Sequence, residues 1–287
     1  MFSVKLSYFL HRIADDFLND EESPSYDWNL NEGYLTKESE TYPRRVLGSG
    51  TRASLIVVFR LYQADLDKLC RGAVQGFKVL LHSPNEIPKV STNYYSIALK
   101  QEVILNVKPS MITTSEKLKN YDSEIRQCFF EGEKKLHFFK AYTQNNCEIE
   151  CLTNFTLKIC KCVKYSMPHE NGTKICGQDK IECYNDAEDK LIETKLEEGL
   201  TSASSGNECD CKPFCTSVHY NAEISQTDFF AQDLTEAIKD SVVGTIPPFV
   251  MSKLKIFFKE PQFITSKRSE LYGMSEFLAN CGGILGK

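Results

Sequence analysis

The sequence predicts an α+β protein, in which a mixed or antiparallel sheet is interrupted by a disulfide-rich helical insertion. Three observations lead there. Apolar, β-branched segments that read as strands lie far apart in the chain, at Ser54–Leu61, Phe77–Leu81, Glu102–Val107 and Leu254–Lys259. Ten of the twelve cysteines fall between Cys128 and Cys215, within the long gap between the third and fourth of these segments. Two helical patterns occupy the same gap, Asn146–Leu157 and Asn185–Leu196, and the second opens with carboxylates that suit a helix N-terminus.

Taken in order, Val4, Tyr8, Ile13 and Phe17 stand at helical spacing within residues 1–20. Residues 21–50 are rich in Ser, Pro, Gly, Asn and Glu and read as loops. His82–Glu86 supplies turn residues between the second and third strands, and Ser202–Gly206 reads as a flexible loop. No internal repeat is present.

The length of 287 residues gives ample chain for a core, and 41% hydrophobic with 25% charged residues is the composition of a folded protein. A net charge of −5 and a pI near 5.7 argue against a nucleic-acid surface, which needs a basic stripe. His11, His82, His137, His169 and His219 form no pattern with a nucleophile, and no phosphate loop or His-Glu-x-x-His helix occurs. Nothing here reads as an enzyme, and no cofactor or metal is implied.

The cysteines carry the argument further. An even, dense set of ten (Cys128, Cys147, Cys151, Cys160, Cys162, Cys176, Cys183, Cys209, Cys211, Cys215) reads as a disulfide framework in an oxidising compartment. Two glycosylation sequons, at Asn154 and Asn171, lie within it. On a helix Cys147 and Cys151 share a face about 6 Å apart, and on an extended chain Cys209 and Cys211 do so about 6.6 Å apart. Spacing therefore favours the rungs Cys151–Cys209 and Cys147–Cys211, with Cys128–Cys215 nested outside and Cys160–Cys183 and Cys162–Cys176 inside. Spacing does not decide connectivity. Zinc at the Cys-x-Cys pairs is the rival, disfavoured because structural zinc usually takes Cys-x(2–4)-Cys.

An oxidised, glycosylated lobe needs export. The N-terminal residues Met1–Leu6 carry no apolar run of signal-peptide length, and no stretch of about 18 apolar residues spans a bilayer. The expectation is a piece of a longer protein, with an apolar run beginning near Cys281–Lys287.

The segment Asn146–Cys162, then Ser166-Met-Pro168, Cys176, Cys183 and Cys209–Cys215, resembles the thumb domain of degenerin/epithelial sodium channels. Further matches are Trp28–Tyr34, Tyr42–Arg45, Gln75–Pro84, Ile256–Phe258 and Ser266–Tyr272, similar in particular to the insect pickpocket branch. The resemblance implies the same nested pairing of the ten thumb cysteines. It also implies a partial helical finger (1–50), palm and β-ball strands (51–125), a thumb (126–216), a knuckle with returning palm strands (217–265), and a wrist entering a second membrane helix (266–287). The implied protein is a homo- or hetero-trimer with related channel subunits at the plasma membrane, this region being extracellular. It would pass sodium ions, be blocked by amiloride, and meet the lipid bilayer through segments absent from this sequence, the Gly-x-Ser filter among them. No nucleic-acid partner is implied.

The resemblance also assigns residues. Ala279 matches a small gating position, followed by Gly282 and Gly283, which permit close helix approach. Asp189 and Glu193, i and i+4 on one helix face, match an acidic sensor; a solvated helix face is the plainer reading. Tyr121 matches an aromatic coupling thumb to membrane. Cys70 falls outside the thumb set and either pairs with a cysteine N-terminal to this sequence or stays unpaired, and Cys281 reads as a buried thiol. The alternative is a secreted or non-conducting disulfide-rich protein that binds or assembles with others.

Overall fold

A computed structural model describes residues 28–29, 33–34, 46, 48–62, 64, 66, 74–83, 85–201, 209–230, 249–271, 273 and 277–281. The helical reading of residues 1–20, the Ser202–Gly206 loop, Cys70, Gly282 and Gly283 lie outside these residues.

Within residues 21–50, read as loops, a minimal hairpin pairs β1 (Trp28–Asn29) with β2 (Gly33–Tyr34). The main sheet follows. It contains β3 (Leu55–Tyr62), β6 (Gln101–Thr114), β7 (Ser217–Asp228), β8 (Phe249–Phe258) and β9 (Thr265–Arg268), while β4 (Gly76–Val79) and β5 (Tyr95–Ala98) form a separate hairpin. The sheet order is β3-β8-β6-β7. β7 runs antiparallel along one edge of β6 from Gln101 to Ile112. On the other edge β8 lies parallel to Glu102–Val107 and β9 parallel to Met111–Thr114. Among the described residues, positions 108–110 have no strand on that second edge. Pro109 stands there, where its missing N–H costs no ladder bond.

Alternation gives the sheet two unlike faces. Val103, Leu105 and Val107 of β6 and Leu254 and Ile256 of β8 are buried on one face with Ile97 of β5. Leu55, Val57 and Phe59 of β3 and Phe77 and Val79 of β4 pack against them, Phe59 stacking on Phe77 at 4.5 Å. The buried Ser252 hydroxyl donates to the Ala98 carbonyl at 2.9 Å, tying the hairpin to the sheet. Gly76 is required by this close approach: its φ is +151°, and a Cβ would stand 2.3 Å from the Ile97 carbonyl oxygen.

The opposite face is mixed, with Ile56, Val58, Met251 and Phe257 beside two carboxylates held among lysines. Glu102 lies between Lys255 at 2.6 Å and Lys253 at 3.6 Å; Glu223 lies between Lys259 at 2.6 Å and Lys108 at 2.9 Å. The hydrogen bond from Lys255 holds the Glu102 carboxyl below its ordinary range, against the opposing effect of burial.

The insertion joins β6 to β7. It holds one helical turn, α1 (Ser123–Arg126), and two helices, α2 (Gln144–Cys160) and α3 (Ile181–Thr201), both longer than their sequence patterns. α2 starts at Thr143, whose hydroxyl accepts the Asn146 N–H at 3.0 Å, and ends where Lys161 turns left-handed. α3 begins at Ile181, four residues before the first residue of its sequence pattern, directly after a 3-10 turn (Gln178–Lys180). β7 escaped the sequence pattern because its second half is exposed and polar.

Two outcomes are expected. Gly76→Ala should lower stability by about 2 kcal/mol or more in denaturant unfolding, because the Cβ meets rigid backbone. Glu102 is charged more readily folded than unfolded, so its contribution is full above about pH 4.5 and fades as pH falls through the depressed folded value. Glu102→Gln should lower the melting temperature at neutral pH, where the contribution is full, and flatten the acid limb below pH 5 or so, the two proteins converging at low pH.

Candidate functional site

The site is the cross-linked lobe and the places where it grips the sheet. Its ten cysteines pair as Cys128–Cys215, Cys147–Cys211, Cys151–Cys209, Cys160–Cys183 and Cys162–Cys176, with Cα separations of 5.0–6.0 Å. Two rungs staple α2 to the Cys209–Cys211 segment, which is not extended as expected from its sequence but closes a tight turn, Cys211 N–H donating to the Cys209 carbonyl at 2.8 Å. Cys160–Cys183 joins α2 to α3, and the buried Cys160, Cys162 and Ala187 form a small core with Phe155 and Tyr184. No group of three or more His, Cys, Asp or Glu that would hold a metal occurs among the described residues.

The lobe leaves the sheet through a neck. Phe129 and Cys215 exchange backbone bonds with their neighbours: Phe129 N–H donates to the Pro213 carbonyl at 3.0 Å, and Cys215 N–H to the Phe129 carbonyl at 2.8 Å. Cys128–Cys215 closes the same point covalently. Just below, the buried Thr114 hydroxyl donates to the Cys215 carbonyl at 2.7 Å, while Ser115 N–H donates to the Arg268 carbonyl of β9 at 2.8 Å. Adjacent residues thus hold the lobe on one side and β9 on the other.

Charge and aromatic packing reinforce the neck. Lys212 lies 5.1 Å from the Phe129 ring and pairs with Asp210 and Glu124. Burial alone would pull its ammonium down, yet the two carboxylates outweigh burial and hold it above its usual value. Tyr142 meets Phe129 edge-on at 5.4 Å and donates to the Lys212 carbonyl at 2.5 Å, and burial pushes its phenol up. Arg126 pairs with Glu133 and donates to the carbonyls of Tyr121 at 2.7 Å and Cys128 at 3.0 Å.

A second grip joins the start of α2 to the segment leading into β5. The Asn146 carboxamide, 1% exposed, accepts from Ile87 N–H at 3.1 Å and donates to the Asn85 carbonyl at 2.8 Å. Asn145 donates to the Ile87 carbonyl at 2.6 Å, and Lys89 pairs with Glu148 at 2.9 Å. Sequence reasoning missed this contact. Asn146 carries no signal of a partner some sixty positions away.

The other residues singled out fall as follows. Tyr121 sits in the neck just after a 3-10 turn (Glu116–Asn120), 40% exposed. Asp189 and Glu193 are both exposed on α3. Asn154 on α2 and Asn171 in a turn are exposed too. Ala279 is exposed in a helical turn at 277–281, and Cys281 is a free, half-buried thiol. Among the described residues no helix is long and apolar enough to cross a membrane.

Residues 19–286 match the model of the amiloride-sensitive sodium channel family, and the chain belongs to that family. It is 28% identical to Pickpocket protein 28 of Drosophila melanogaster over 98% of this chain and 47% of that protein. It is 24% identical to sodium channel protein Nach of Drosophila melanogaster, covering 83% of this chain and 42% of that one. Human Acid-sensing ion channel 2 is 25% identical over 74% of this chain and 38% of its own length. The chain thus spans less than half the length of these relatives, which are ion channel proteins and not enzymes.

Asn146→Ala should cost about 2 kcal/mol, since it strands partly buried backbone groups at Ile87 and Asn85. Denaturant unfolding measures the loss, and a change near zero would show that the second grip carries no load.

Proposed function

We propose that this chain is the extracellular part of a subunit of a sodium-permeable, amiloride-sensitive channel that assembles as a homo- or hetero-trimer in the plasma membrane. In this reading the insertion is the thumb, the main sheet the palm, and the segment after β9 the wrist leading to a pore helix. The observation that carries it is the shared junction at Thr114 and Ser115. Thr114 holds the lobe through Cys215, and Ser115 holds β9 through Arg268, eleven positions before Ala279 in the sequence. A stimulus that tilts the rigid lobe would therefore pull on the strand that precedes the pore helix.

Phe263, Ile264, Leu271, Phe277 and Leu278 are exposed along that same stretch, an apolar run suited to a lipid or pore-helix neighbourhood. Tyr121, in the neck beside Arg126, is the aromatic assigned to thumb–membrane coupling. Ala279, with Gly282 and Gly283 following, is assigned to gating by close approach of pore helices. Asp189 and Glu193 read as a solvated helix face. The relatives are channel proteins, which gives no support to a non-conducting binding protein.

The test is electrical. The open reading frame that contains this chain is expressed in oocytes, with Ala279 or with Ala279→Val. The expected result is an inward sodium current blocked by amiloride, raised at rest on the order of tenfold by the valine, equivalent to about 1.4 kcal/mol in the opening equilibrium. Protein at the cell surface without current in either form would reject the proposal.

A further inference from the structure

Asn154 and Asn171 both stand in Asn-x-Thr sequons, but the fold treats them differently. Asn171 lies in an exposed turn with Gly172 at φ +92°, where amide and threonine hydroxyl remain within reach of an enzyme. Asn154 lies within α2. At about 100° per residue, a helix turns positions i and i+2 to nearly opposite sides. Asn154 accordingly faces solvent, while Thr156 is 0% exposed with its hydroxyl oxygen enclosed and unpartnered. A transferase that reads both side chains in one groove has access to Asn171 in the folded lobe, but to Asn154 only before α2 packs.

The position of Asn154 adds a consequence. It follows Cys151 by three residues and Cys147 by seven, so it shares their helix face and lies about 4.5 Å along the axis from the Cys151 rung. Asn154, both rungs and Phe155 line a single open cleft.

We propose that Asn154 carries an N-linked glycan, attached only before the lobe folds, which then covers the Cys151–Cys209 cross-link. The transfer forms a bond from the Asn154 amide nitrogen to the anomeric carbon of a lipid-diphosphate-linked oligosaccharide. The bond from that carbon to the diphosphate oxygen breaks, the lipid diphosphate leaves, and the amide nitrogen loses one proton. No oxidant or reductant takes part. Cross-link closure competes with this step: once Cys147–Cys211 and Cys151–Cys209 pin the helix, the sequon is lost as a substrate. The extracellular placement offered under Proposed function is the premise on which this proposal rests.

The experiment directs the full 287-residue chain into the secretory pathway of cultured eukaryotic cells and measures occupancy of both sequons by mass spectrometry. A membrane-permeant dithiol added during synthesis delays disulfide closure and should raise Asn154 occupancy about twofold, leaving Asn171 unchanged. Folded, unglycosylated protein offered to the transferase in vitro should be modified at Asn171 and not at Asn154. On folded glycoprotein, trimming the glycan to a single sugar should speed reduction of Cys151–Cys209 by dithiothreitol about threefold or more, read by differential alkylation. Trimming the mature protein avoids any folding defect of an Asn154→Gln variant. Asn171 occupied with Asn154 empty under both conditions overturns the proposal but leaves the extracellular reading standing; both sites empty overturns the two together. Transfer to Asn154 in folded protein overturns the order of events, and equal reduction rates overturn the covering role.

Discussion

The structure depends on the closure of the neck. β6 and β7 are hydrogen-bonded neighbours over nearly their whole length, yet the chain leaves β6 at Thr114 and returns only at Ser217. An excursion that long between paired strands carries a loop-closure cost, which must be offset at the point where the two ends meet. There the chain places Cys128–Cys215, two backbone bonds across Phe129, and the buried Thr114 hydroxyl. In the chain-entropy account a cross-link spanning 87 residues contributes about 4–5 kcal/mol by restricting the unfolded chain. With the neck shut, the lobe becomes an appendage with defined direction.

Direction alone does not make a lever. The start of α2 is also held, through Asn146, Asn145 and Glu148, to residues 85–89, which lead into the hairpin packed on the sheet. Two grips on one rigid body fix its tilt, and the internal cross-links suppress bending between them. Motion of the lobe must then strain either the buried Asn146 contacts or the junction with β9.

The sheet supports this by having two faces of different character. One is apolar and covered by the β4–β5 hairpin; the other carries Glu102 and Glu223, each between two lysines. Glu102 is the more shielded of the two, whereas the pairs of Glu223 are more exposed and weaker in salt. The interruption at Pro109 lets β8 and β9 share one edge of β6, and this brings the segment ahead of residues 277–281 beside the neck.

Much was legible in the chain itself, for reasons of locality. Apolar, β-branched runs marked β3, β4 and the start of β6, and alternation marked the end of β8, because these are properties of neighbouring residues alone. Cysteine spacing favoured two staples on α2, because helix and strand geometry fix which sulfurs share a face. The sequons and the Cys-rich segment pointed outside the cell by composition, and the motifs resembled a family to which the whole chain proved to belong. The start of α3, the polar second half of β7 and the short β5 and β9 carried too little local pattern. Only the tertiary structure decided that Asn146 docks on residues 85–89, that Pro109 falls in the gap between two strands, and that Thr114 and Ser115 join lobe to β9. Each depends on groups brought together from distant parts of the chain, whose pairing follows from packing of the whole body and leaves no mark in a local stretch of residues.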